Sequence, residues 1–190
     1  MSTSQGAQMP RVGSEWDGAF EEFVRGRSSH LFKLALVITG WDVAAAEDVL
    51  QIALERAYRH RRSLFTGRPA EAYVRKIVVN AAIDWRRSLR RRGEQPLDAA
   101  VDPAMDDAAS RIADRDQIVR ALAALAPRQR AVLVLRYWED LADEQIAAVL
   151  NCTTGTVRSL ASRAFTTLRE RAETSLVMPS EYSVRSKPDD

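Results

Sequence analysis

Two short apolar periodicities with a polar break between them constrain this chain more than any other feature. They lie in Leu141 to Arg171, LADEQIAAVLNCTTGTVRSLASRAFTTLRER. Ile146, Ala147 and Leu150 repeat at helical spacing, and Asn151-Cys152-Thr153 interrupts. Val157, Leu160 or Ala161, Ala164 and Leu168 then resume the period on a second helix. Thr153 is placed to cap that helix, because its hydroxyl can accept one of the N–H groups the first turn leaves without a partner. A short helix, a tight turn and a longer basic helix predict a helix-turn-helix, whose second helix lies in the DNA major groove. An ordinary helical hairpin in an all-α core shares this periodicity. The outer face favours the DNA-reading version. Thr154, Arg158, Ser159 and Ser162 fall away from the apolar stripe, and such groups hydrogen-bond to base edges and phosphates.

The rest of the chain must supply a core for this motif. Its 190 residues suffice for one ordinary domain or two small ones, and a hydrophobic fraction of 46% allows a packed interior. Glycine and proline are few and no run of alternating β-branched residues stands out, which predicts an all-α fold. The single cysteine, Cys152, excludes a disulfide framework and a cysteine metal site, and in the turn it reads as a packing residue. His30 and His60 are isolated and lie in no ligand motif. No phosphate loop, metal set or nucleophile–base motif is present, so no catalytic, metal or cofactor site is expected. No stretch approaches the roughly 20 apolar residues of a membrane span, and the polar N-terminus lacks a signal-peptide core. A cytoplasmic location is the default.

In chain order, residues 1–14 are expected to be a disordered lead-in. A helix follows from Glu15 to Gly40, with Gly26 and Ser28-Ser29 as a bend or restart. Asp42 is a good N-cap for the next helix, on which Val49, Ile52, Ala53 and Arg56-Ala57 describe an inward stripe. Asp48, Gln51 and Glu55 share a neighbouring strip, which periodicity alone makes a solvated face and which a partner could also use. Arg61 to Arg68 reads as a basic loop.

The helix from Ala70 to about Arg92 has Tyr73, Ile77, Ala81 and Trp85 four apart, with Val74, Val78 and Ala82 beside them. Arg75, Lys76, Arg86, Arg87, Arg90, Arg91 and Arg92 make it strongly basic, and Asn80, Asp84 and Arg87 are expected to project from one side. Such a helix can hold phosphate and stack exposed bases of a single strand. A solubilising face or a membrane-surface patch has the same composition.

Charge then reverses. Glu94, Asp98, Asp102, Asp106 and Asp107, with Pro96 and Pro103, mark residues 93–106 as an acidic flexible linker. It separates a first small helical domain (15–92) from a second (107–173), whose helices begin near Met105 and at Pro127. The tail, 174–190, loses periodicity.

Taken together, these stretches resemble bacterial RNA polymerase sigma factors of the extracytoplasmic-function type, most closely their sigma-E-like actinobacterial branch. AEDVLQIALERAY (Ala46 to Tyr58) is similar to the family's Asp-x-x-Gln helix. VRKIVVNAAIDWRRSLRRR (Val74 to Arg92) resembles the helix that melts and reads the −10 element. Leu125 to Ala164 resembles the −35-reading domain, with its Gly-Thr-Val-Arg-Ser core. The resemblance implies that Asp48, Gln51, Glu55 and Arg56 contact core polymerase, at the β′ clamp helices. It implies that Arg75, Lys76, Asn80, Asp84, Arg87, Arg90 and Arg91 face the −10 DNA. It implies that Thr154, Thr156, Arg158, Ser159, Ser162 and Arg163 lie at the −35 duplex. Further implied partners are the β flap and an anti-sigma protein, with no membrane insertion. Leu160-Ala161 departs from relatives that carry a basic residue there, which leaves Arg158 and Arg163 to make most of the contact. An autonomous helix-turn-helix regulator would share the motif without needing the Asp48 surface.

Overall fold

The computed structural model describes residues 12–64, 70–91 and 117–177. All regular structure among them is helical: α1 (Val12–Thr39), α2 (Val43–Arg59), α3 (Arg61–Leu64), α4 (Ala70–Arg91), α5 (117–123), α6 (Pro127–Tyr137), α7 (Asp143–Leu150) and α8 (Thr154–Val177). The linker 93–106, the helical stretch expected from Met105 to Asp116, the N-terminal 1–11 and the tail from residue 178 lie outside the described residues. No described helix is long and apolar enough to cross a membrane.

Local chemistry sets the boundaries. Asp42 caps α2 by accepting the Ala45 N–H at 2.9 Å. Gly40 ends α1 at φ +83°, where a side chain is strained. The Gly40 N–H donates to Val37 O at 3.2 Å and the Trp41 N–H to Leu36 O at 2.7 Å, which satisfies two carbonyls of the last turn. Pro127 opens α6, and the Gln129 side chain accepts the Ala126 N–H at 3.0 Å.

α1, α2 and α4 pack around Leu31, Leu34, Ala35, Ile38, Val49, Ala53, Val74, Val78 and Ala82, all buried. α6, α7 and α8 pack around Val132, Leu135, Ile146, Leu150, Val157 and Ala164. Each of the leucine, isoleucine and valine side chains contributes about 1.5–3 kcal/mol through its removal from water, and each alanine less. The two units are not separate cores in this structure. α1 and α4 rest on α6 and α7, and one hydrophobic cluster runs through both halves.

The structure changes several expectations. α1 is continuous from Val12, so residues 12–14 are helical rather than part of a disordered lead-in, and Gly26 does not break it. Ser28 stays in the helix by donating its hydroxyl to Val24 O at 2.6 Å. The basic segment at 61–68 begins as a helical turn, α3, because Leu64 is buried and Arg61 is anchored to Asp17 at 2.6 Å. Ile52 and Arg56 are exposed, and α2 instead buries Ala45, Ala46, Val49, Ala53 and Ala57. On α4 the deepest ridge is Val74, Val78, Ala82 and Arg86, so one of the supposed surface arginines is inside. α8 continues through Val177, past the expected end at residue 173.

Candidate nucleic-acid interface

The helix-turn-helix has the expected anatomy. α7 ends at Asn151, which adopts the left-handed conformation (φ +50°) that asparagine tolerates. The Cys152 N–H then donates to Ala147 O at 3.0 Å. Thr153 Oγ1 accepts the Thr156 N–H at 3.2 Å and fixes the start of α8. Val157, Ala161 and Ala164 are buried and Leu160 packs against the core, so Leu160-Ala161 belongs to the inner face of α8. Thr156, Arg158, Ser159, Ser162 and Arg163 are exposed together, and Thr154 is half-buried at their edge.

Arg158 is not a loose cation. Its Nε donates to Asp143 Oδ2 at 3.2 Å, and Asp143 also receives Arg136 from α6. The hydrogen bond from Arg136, reinforced by Arg158, holds the Asp143 carboxyl below the ordinary aspartate range, although partial desolvation opposes the shift. Asp143 thus orients a candidate DNA contact. Its one sequence signal was an acidic first-turn position on α7.

A lowered native pKa gives stability that is present above the unfolded carboxylate range and lost as pH falls through the native value. Asp143→Asn should therefore lower the thermal midpoint at pH 7. Wild type and variant should converge at acid pH, below the lowered native value of the Asp143 carboxyl. A midpoint gap that persists at that pH would show that the carboxylate charge is not what ties Arg158 and Arg136.

On α2, Asp48, Gln51, Glu55 and Arg56 are exposed, and Gln51 Nε2 donates to Glu55 Oε1 at 3.2 Å. Beside them Phe20, Leu50, Leu54 and Tyr58 line an apolar groove rimmed by Glu47 and Glu55. The spacing of the acidic residues was legible, but the groove was not, because Phe20 comes from α1. An acidic, apolar face repels phosphate and suits a protein partner.

α4 is less open than its pattern suggests. Lys76, Asp84 and Arg87 are exposed. Asn80 does not join Asp84 and Arg87 on a free face: its Nδ2 donates to Lys76 O at 2.7 Å and to Val149 O of α7 at 2.9 Å. Arg75 is half-buried, with Nε 2.7 Å from Glu139 Oε2. Arg90 and Arg91 lie outside the residues whose side chains are described.

Comparison with known proteins matches both halves. The family described as Sigma-70 region 2 matches residues 23–92, and that described as Sigma-70, region 4 matches residues 115–168. The RNA polymerase sigma-E factor of Streptomyces coelicolor is 40% identical over 151 residues, covering 80% of this chain and 84% of that protein. The ECF RNA polymerase sigma factor SigL of Mycobacterium tuberculosis is 37% identical over 143 residues, covering 73% and 80%. Among solved structures, the sigma factor RpoE of Bartonella quintana, crystallised with the anti-sigma factor NepR, superposes with a TM-score of 0.67. It is 24% identical, with 82% of this chain and 97% of that one covered, and so shares the fold.

Proposed function

The chain belongs to the sigma-70 family, as an extracytoplasmic-function factor beside the sigma-E and SigL proteins of actinobacteria, and from that premise we propose how its surfaces divide the work of transcription initiation. It is an RNA polymerase sigma factor. In our reading the unit at residues 15–92 docks on core polymerase through Asp48, Gln51, Glu55 and Arg56. The helix α4 captures the opened −10 strand through Arg75, Lys76, Asn80, Asp84, Arg87, Arg90 and Arg91. The unit at 107–173 reads the −35 duplex with Thr154, Thr156, Arg158, Ser159, Ser162 and Arg163, and the acidic linker 93–106 joins the two.

Each contact alone is weak. Docking both units on polymerase raises the effective concentration of the second contact. Capture of unstacked bases offsets an unpairing cost of about a few kcal/mol per base. The chain supplies recognition, and the chemistry belongs to polymerase, which places the factor in the cytoplasm. An inhibitor of the kind crystallised with the Bartonella factor is a further candidate partner.

The observation that most supports this reading is the exposed polar set on α8, with Arg158 oriented by Asp143. Arg158→Glu should weaken promoter binding by holoenzyme roughly 5- to 100-fold at moderate salt, the range for losing one base-edge contact. Its circular dichroism should match wild type. An unchanged affinity would remove Arg158 from the interface. Tight duplex binding by the chain without polymerase would favour an autonomous regulator.

A further inference from the structure

The carboxylate of Asp143 ties the polar face of α8 to the body of its unit. One oxygen is held by Arg136 of α6, and the other accepts Arg158 Nε at 3.2 Å. The side chains of Asp143 and Arg136 are 21% and 24% exposed, and that of Arg158 is 70% exposed. The anchor is therefore half-buried in the scaffold, while the arginine it holds projects into solvent. Helix α7 does not use Asp143 as a cap. Gln145 does that work, its Oε1 accepting the Ala142 N–H at 2.9 Å. An exposed ion pair such as Asp143–Arg158 also adds little to stability. What the pair fixes is the direction of a guanidinium.

From this arrangement we propose that Asp143 is a positioning residue for sequence readout, which commits Arg158 to a guanine of the −35 duplex and keeps it off the phosphate backbone. The proposal rests on the assignment of α8 to that duplex. A guanidinium is a planar fork with five N–H donors. With Nε engaged by the carboxylate, the edge with one N–H from each Nη atom remains for DNA. Two parallel donors match O6 and N7 of guanine, the one base with two adjacent acceptors on its major-groove edge. Adenine sets an amino donor beside its N7, and neither cytosine nor thymine offers the acceptor pair. A phosphate would also accept both donors. Its charge would then lie beside the Asp143 carboxylate, and like charges repel.

Arg163 is the other cation in the first three turns of α8. It is exposed and has no ion-pair partner among the described residues. It is therefore left to bind phosphate, a contact that positions the protein and carries no sequence information. Two arginines of equal standing in the sequence thus take different roles, and Asp143 is what separates them.

Holoenzyme assembled from the full chain and core polymerase selects bound sequences from a pool of randomised duplexes. The position read by Arg158 is the one that Arg158→Ala alters. Wild type should prefer guanine there by about 5- to 100-fold over any other base. Asp143→Ala should flatten that preference to less than about threefold and leave the other positions unchanged. Its affinity for a non-promoter duplex should not fall, and the slope of log affinity against log salt should steepen by about 0.9, as Arg158 moves to a phosphate. Asp143→Glu, with a longer reach and the same charge, should recover part of the preference. Gln145→Ala controls for loosening of the same helix: its unfolding midpoint should drop while its guanine preference stays at the wild-type level. If Asp143→Ala does not fold, Asp143→Asn is read by the same selection. A preference for another base at the Arg158-dependent position, an unchanged profile for Asp143→Ala, or equal flattening by Gln145→Ala would overturn the proposal. A selection in which Arg158→Ala alters no position would instead remove α8 from the duplex, and this proposal with it.

Discussion

Arg130→Leu is expected to destabilise the folded chain by about 3–5 kcal/mol, with an unfolding midpoint roughly 10 °C lower. Arg130 is fully buried. Its Nε donates to Leu122 O at 2.7 Å, Nη2 to Ala123 O at 2.7 Å and Leu125 O at 3.2 Å, and Nη1 to Val37 O and Ile38 O. A guanidinium has five N–H donors, and here they meet five carbonyls. Most of those carbonyls belong to the last turns of α1 and α5, where no intrahelical partner remains. The cation also lies at the negative ends of two helix dipoles. Leucine fills most of the volume but leaves the acceptors dry and unpaired. Arg130→Lys keeps the charge with fewer donors and no planar fork, so it should recover only part of the loss. Chemical denaturation read by circular dichroism checks this. A loss under about 1 kcal/mol would mean that water reaches the carbonyls when the arginine is gone.

Asp48→Arg should abolish most promoter-directed transcription, by at least about tenfold, while leaving the fold intact. Asp48 is exposed on α2 beside Gln51 and Glu55 and packs into no core. Reversal of its charge should therefore leave the unfolding midpoint within about 0.5 kcal/mol of wild type. The variant chain is more positive, so its direct affinity for DNA cannot fall for electrostatic reasons. Loss of transcription together with loss of core-polymerase retention on a column would then be a docking defect. Retention equal to wild type would exclude this strip as the polymerase contact and leave the neighbouring groove of Phe20, Leu50, Leu54 and Tyr58 as the alternative.

Much of the architecture was legible before any coordinates. The caps at Asp42 and Thr153, the stop at Gly40, the proline start of α6 and the break at Asn151 each involve residues within one turn of one another. Local hydrogen-bond chemistry decides such features, and local sequence contains it. The outer set on α8 was legible for the same reason, since an angle around one helix axis follows from spacing alone. Asp143 escaped notice because its partners Arg136 and Arg158 come from two other helices.

What the chain's sequence determined by itself is the order of the longer helices, the ends set by local caps and the polar face of α8. What only the tertiary structure decided is which polar side chains are spent inside the molecule. Arg86 reads as one of the basic residues of α4, and Asn80 as an outward amide beside Asp84 and Arg87. Asn80 becomes an interior partner because α7 of the second unit lies against α4, and Arg86 is buried beside Gly40. Periodicity reports how a residue is turned about its own helix. It has no term for a neighbour that arrives from 69 residues away, as Val149 does to Asn80.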